Sequence, residues 1–465
     1  MTATEPLTTQ SATGRAGAAR PLSYPGPPRR AAPRLLAKLR GDRLGLLADA
    51  AAEYGDVIRF RIGPKTLYYF NHPEHAKHVL SDNSGNYHKG IGLAQARRFL
   101  GDGLLTSEDK LWHGQRQIIH KAFKRNRLAA FADVIADEAD AMVARMDSHV
   151  AGPPVDMAEE VARLTLAVLG QALLSSDLTP FAALAGAFDV AQDQAMFDMV
   201  TLDLVPPWIP TPRNRRFERA QRQLEDVASA LIAERERDYL PGAGDMISLL
   251  LDAYRDEPDS RLRHRRLRDE LVTILLAGHE TTASTLSWTW YLLDRHPEVA
   301  RRMHAEATEV LGDRKPGHDD LSRLTYTTMV IQEAMRLYPP VWGLPRQATS
   351  ADDIGGYRVP AGADVMICPY TLHRHPAFWP EPDRFDPERF SAEAAGPAHR
   401  YAYIPFGAGP RVCVGSHLGM MEATLVAAMV ARRFRLELIP GRAVAPEANL
   451  SLRVQGGLPM VVRPA

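Results

Sequence analysis

The ten residues FGAGPRVCVG, Phe406 to Gly415, place Cys413 among three glycines, with Arg411 two positions before it. Thiolate rather than thiol binds metal, and positive charge or a helix N-terminus nearby favours it. The stretch SHLGMMEATLVAAMVARRF that follows reads as an apolar helix, which puts Cys413 just ahead of its positive end. Gly407, Gly409 and Gly415 permit tight turns and let backbone N–H groups approach the sulfur. A dinucleotide fingerprint starting at Gly407 would need glycine at Val412, and no Lys-Ser/Thr pair follows to cradle a phosphate. Zinc fails as well, because no Cys or His stands at ligand spacing. Cys368 is the one other cysteine, which makes a disulfide framework improbable. A buried structural cysteine on a turn stays possible, but it leaves the glycines and Arg411 without a purpose.

The pattern Phe406-Gly407-x-Gly409-x-Arg411-x-Cys413-x-Gly415 resembles, without a gap, the haem-binding loop of the cytochrome P-450 monooxygenases. The resemblance implies haem b, iron protoporphyrin IX, with Cys413 as its metal ligand. It also implies that Phe406 shields the sulfur and that Arg411 pairs with a propionate. Thiolate ligation pushes electron density toward iron and favours O–O cleavage.

Three further segments are similar to the same family. RLRDELVTILLAGHETTASTLSWTWYLLDRHP reads as a helix of about 30 residues, roughly 45 Å long. It contains Ala277-Gly278-x-Glu280-Thr281-Thr282, whose small residues make room over the haem face. Glu280 and Thr281 then form an acid-alcohol proton relay for oxygen activation. A zinc-protease reading of HETTA fails because Ala283 stands where the second ligand histidine is needed. IQEAMRLYPP sets Glu333 and Arg336 three apart on one helix face. With Arg389 of PERF they match the structural triad behind the haem loop. Trp112 and Arg116 of WHGQR, and Arg346 of LPRQAT, match the propionate partners, since a carboxylate accepts a fork of N–H groups well.

The elements that must position these residues follow from patterning. Two β-like runs, VIRFRI and TLYYF, meet at Gly63-Pro64 as a hairpin would. Helices dominate from there to about Tyr338, interrupted by LVPPWIPTPRNRR, whose prolines cannot sit inside a helix. Short strands and proline-rich meander follow before the last helix. The fold class is mainly α with a minor β portion. The resemblance makes it a single large P-450-type fold, with haem between a long central helix and the Cys-loop helix.

With 465 residues, 56 basic and 56 acidic, the composition is that of a globular protein with no global field toward nucleic acid or a membrane surface. Residues 1–33 read as a disordered tail without signal sequence or membrane anchor, and 34–465 as one haem-thiolate domain. A monomeric cytoplasmic protein is expected, with the Asn449-Leu450-Ser451 sequon a chance match. The implied reaction inserts one oxygen atom from O2 into a hydrophobic small molecule, by hydroxylation or epoxidation, in secondary metabolism. A terpenoid or polyketide is the expected substrate; a fatty-acid hydroxylase, a haem-thiolate isomerase or peroxygenase, and a non-catalytic haem sensor are the alternatives. By analogy the pocket includes Leu276, Ala277, Val341 and Leu344. Electrons are expected from a ferredoxin or flavodoxin with its reductase, docking near Lys121, Lys124, Arg125 and Arg127.

Overall fold

Asp259 starts the longest helix, its carboxylate accepting the N–H groups of Arg261 at 2.9 Å and Leu262 at 3.2 Å. The helix Ser260–Arg295 then runs for 36 residues, some six more than the sequence suggests, until His296 and Pro297 end it. In this computed structural model, residues 22–62, 65–124, 127–150, 152–181, 184–201, 204–239, 244–394, 396 and 398–465 are described. From Leu267 to Leu293 the central helix is buried on nearly every side, as an element in the middle of a core must be. The helices Leu128–Asp147, Met157–Leu169, Thr325–Leu337 and Ser416–Arg433 pack with it into the main apolar core. No helix among the described residues is long and apolar enough to cross a membrane.

A smaller core lies on a five-stranded sheet ordered Val57–Ile62, Lys65–Phe70, Asp364–Ile367, Leu344–Ala348, Tyr87–Lys89. The first two strands pair antiparallel from Val57 with Phe70 to Ile62 with Lys65, while the expected turn at Gly63-Pro64 lies outside the described residues. At the far edge the register sets Lys89 directly opposite Arg346. Of the expected break LVPPWIPTPRNRR, residues 204–211 form a loop, while Pro212 to Arg216 open the helix Pro212–Arg237, which Thr211 caps by accepting the Asn214 N–H at 3.0 Å.

Residues 1–21 lie outside the described residues, and residues 22–33, expected to be tail, make defined contacts from Leu22 on although several are exposed. Leu22 N–H donates to the Gly356 carbonyl at 3.1 Å, and the Tyr24 ring lies 4.8 Å from that of Tyr68 and 5.1 Å from that of Tyr357. One aromatic side chain is enough to anchor a segment whose remaining composition reads as tail.

Candidate active site

Gly415 caps the helix Ser416–Arg433, so Cys413 stands just before its first turn. The Cys413 N–H donates to the Phe406 carbonyl at 2.9 Å, closing the loop. Left-handed backbone at Gly407 (φ +72°) and Gly409 (φ +67°) requires glycine. At Gly409 an added Cβ would overlap the Leu80 carbonyl, so the loop seats directly on backbone there.

Cys413 keeps accessible surface although protein packs around it closely enough for burial to raise its thiol above the ordinary cysteine range. The Gly415 N–H and the Arg116 charge oppose the rise without overcoming it. The expected depression of this thiol is therefore corrected: desolvation outweighs both, and a coordinated cation is what deprotonates such a thiol. The cation acting on the sulfur is Arg116 rather than the nearer-in-sequence Arg411.

Around Arg411 the structure collects positive charge. Arg411 and Arg116 flank the buried Trp112 ring, at 4.4 and 5.6 Å from its centroid. Arg346 is 6% exposed, and its guanidinium donates to the adjoining Pro345 carbonyl at 2.9 Å. Burial, then the Arg411 charge, bring its pKa down to about 10. Lys89, facing it across the ladder, is held well below the usual lysine range by burial and by Arg346, Arg411 and Arg116. Glu108 is the carboxylate in contact with this group: it pairs with Arg411 and accepts the Lys89 backbone N–H at 2.5 Å. Among the described residues neither Arg116 nor Arg346 has an ion pair. Like charges directly opposite in a ladder are destabilising, so four cations around one carboxylate form a cradle that a dianionic ligand completes.

The central helix carries the other expected site residues. Ala277 is exposed midway along an otherwise largely buried stretch. Gly278 serves a different purpose from the one its sequence context suggests: a Cβ there would lie 2.6 Å from Leu169 Cδ1, so it admits the helix Met157–Leu169. Thr281 Oγ1 donates to the Ala277 carbonyl at 2.9 Å, and Thr285 and Thr289 repeat that bond one and two turns on. Glu280 accepts from Gln192 Nε2 at 2.9 and 3.1 Å and from Ser451 Oγ at 2.6 Å. The expected relay is thus not a direct Glu280–Thr281 bond. Leu276 is buried in the main core, whereas Val341 and Leu344 are half-buried. Asn449, of the sequon, is buried and donates to Asp193 at 3.3 Å.

The family model for cytochrome P450 matches residues 25–460. The chain belongs to the cytochrome P450 family. It is 37% identical to the cyclooctatin synthase of Streptomyces melanosporofaciens over 90% of this chain and 91% of that protein. The cyclooctat-9-en-7-ol 5-monooxygenase of the same organism is 36% identical over 90% and 91%. The pentalenene oxygenase of Streptomyces avermitilis is 34% identical over 86% and 88%. This P450 is accordingly an oxidoreductase, a monooxygenase of a family that holds haem b through a cysteine thiolate and uses O2, redox partners and hydrophobic substrates. The residues present fit that group: the sulfur of Cys413 is accessible, and four cations share a single carboxylate, Glu108, which leaves charge for two propionates to balance.

Behind the cysteine loop of this P450, Arg336 and Glu333 form a fully buried fork, Nε to Oε2 and Nη2 to Oε1, both 2.7 Å. Arg336 also donates to the carbonyls of His373 at 2.9 Å, Pro382 at 2.6 Å and Arg384 at 3.0 Å. Arg389 Nε lies 3.5 Å from Glu333 Oε1, which completes the expected trio in space. Sequence reasoning missed the next link. His373 of LHRHP, fully buried, accepts the Ile404 N–H at Nε2, 2.9 Å away, two residues before Phe406. Lys89, Glu108, Gln192 and Ser451 were missed as well, since each acts through partners far off in the sequence.

Burial, followed by the charges of Arg336 and Arg374, brings the His373 pKa from 6.5 down to about 3. The neutral ring is required in the native state, while the unfolded chain protonates at the ordinary value. Its contribution is therefore complete above pH 6.5 and falls as the pH drops toward 3, by about 1.4 kcal/mol per unit. Thermal melts from pH 7 to pH 4 should show this loss in the wild type and a shallower slope in His373→Asn; equal slopes would contradict it.

Proposed function

We propose that this P450 oxidises a terpenoid in secondary metabolism, with Cys413 as the haem thiolate. The observation that carries the site assignment is the accessible sulfur of Cys413 beside a cradle of four cations that share one carboxylate, Glu108. In this reading Arg116, Arg346 and Arg411 take the propionates, with Lys89 beside them, and Trp112 holds two of the arginines in place. Phe406 shields the sulfur, and Glu333, Arg336 and Arg389 serve stability. When bound, haem supplies the reductive activation of O2, one atom of which enters the substrate while the other leaves as water.

The protein's part is placement and protons. Ala277, Val341 and Leu344 offer accessible apolar surface on which a hydrocarbon skeleton loses water. Gln192 and Ser451 hold the Glu280 carboxylate in reach of the roof helix Leu184–Thr201 and the strand Leu452–Val454. Glu280 passes protons from that polar layer toward Thr281, whose hydroxyl is already aligned by the Ala277 carbonyl. Electrons come from a ferredoxin or flavodoxin with its reductase. Lys121 and Lys124 are exposed for docking, whereas Arg127 is committed to the Gly244 carbonyl and Arg125 lies outside the described residues.

The terpenoid assignment is supported by the names of the similar proteins, which oxidise or make cyclooctatin-type and pentalenene compounds. Optical titration should show a low-to-high spin shift with cyclic terpene hydrocarbons or alcohols at micromolar concentration, and a shift confined to fatty acids would overturn the assignment. Cys413→Ser should abolish the red-shifted Soret band of the reduced carbonyl complex, and a retained band would remove the sulfur from the site. Thr281→Ala should keep that band yet divert most reducing equivalents into hydrogen peroxide; unchanged coupling of electrons to product would take Thr281 out of the relay.

A further inference from the structure

The segment Gly101–Glu108 joins the central helix to the cation cradle and is held at both ends. At its first end the Asp102 N–H donates to Asp269 Oδ2 at 2.8 Å and the Leu104 N–H to Glu270 Oε2 at 3.0 Å. Both carboxylates are buried, at 3% and 0% exposure, on the central helix. Gly101 and Gly103 allow this approach: a Cβ at Gly101 would overlap the Asp269 carboxyl, and one at Gly103 would overlap Thr273 Oγ1. In the middle, Gln115 Nε2 donates to the Asp102 carbonyl at 2.6 Å and Gln115 Oε1 accepts from Ser107 Oγ. At the last end the Ser107 carbonyl accepts from Arg411 Nη1 at 3.0 Å, and Glu108 pairs with Arg411 and holds the Lys89 N–H.

Buried carboxylates that accept a single backbone bond are costly unless that bond places something. Asp269 Oδ1 pairs with Arg268, but Glu270 Oε1 has no hydrogen-bond partner, so the fold carries a half-satisfied buried acid whose one bond goes to a loop N–H. Resting on the reading of the cradle as the propionate site, we infer that Glu270, with Asp269, is a positioning residue: through the strap 101–108 it fixes Arg411 and thereby the haem. Burial pushes Glu270 up to about 8, so at neutral pH it carries a proton and glutamine reproduces its shape and its acceptor.

The test compares the haem-loaded wild type with Glu270→Leu and Glu270→Gln. Glu270→Leu leaves the Leu104 N–H unpaired, and transfer of haem to excess apomyoglobin should run about tenfold faster, the factor that about 1.4 kcal/mol represents. Amide hydrogen exchange at residues 102–108 should rise with it, while the thermal midpoint changes little because a costly buried acid is also removed. Glu270→Gln should restore both readings. Equal haem-transfer rates and equal exchange in Glu270→Leu and wild type would overturn the inference, as would a faster transfer that Glu270→Gln fails to rescue. Should Glu270→Leu not fold, Gly103→Ala, which lifts the strap off Thr273, is expected to give the same two changes, and their absence counts against the strap equally. A wild type that takes up no haem would sink the functional reading, while exchange at residues 102–108 still reports on the strap.

Discussion

A guanidinium with no exposed surface must spend its N–H groups inside the protein, and much of this architecture follows from how Arg336 does so. Two bonds go to Glu333 and three to the carbonyls of His373, Pro382 and Arg384. Removing one partner would strand a charge where water cannot reach, at a cost of about 3–5 kcal/mol. The meander around residues 373–386 is therefore fixed as firmly as a regular element, although it has little secondary structure of its own. His373 carries that rigidity onward to Ile404, and the cysteine loop begins two residues later.

Electrostatics divides the site into two regimes. On the sulfur side burial dominates and favours the neutral thiol. On the opposite rim, burial and mutual repulsion lower the proton affinity of Arg346 and Lys89 together. A molecule carrying a central cation and peripheral carboxylates answers both, which is why the resident group of the family suits these residues in particular.

What could be read in advance was whatever is local in the chain. The spacing around Cys413, the small residues at 277 and 278, and the Glu333–Arg336 interval each lie within one turn or loop, so the sequence displays them directly. The long helix, the edge hairpin and the last helix were legible for the same reason, through periodicity and punctuation. What could not be read is long-range. Lys89 meets Arg346 only through strand register, and Glu280 meets Ser451 across 171 positions. The purpose of Gly278 was also hidden, because the neighbour that needs the space, Leu169, belongs to another helix. The sign of the Cys413 shift depended on a balance between desolvation and charge that no motif encodes.

The edge strand that opposes lysine to arginine carries an implication for biogenesis. Two basic side chains face each other in that paired ladder, so a carboxylate brought to this edge would relieve their repulsion. Any group that brings negative charge there would steady the folded chain by mass action, and a chain lacking it would be the easier substrate for proteases.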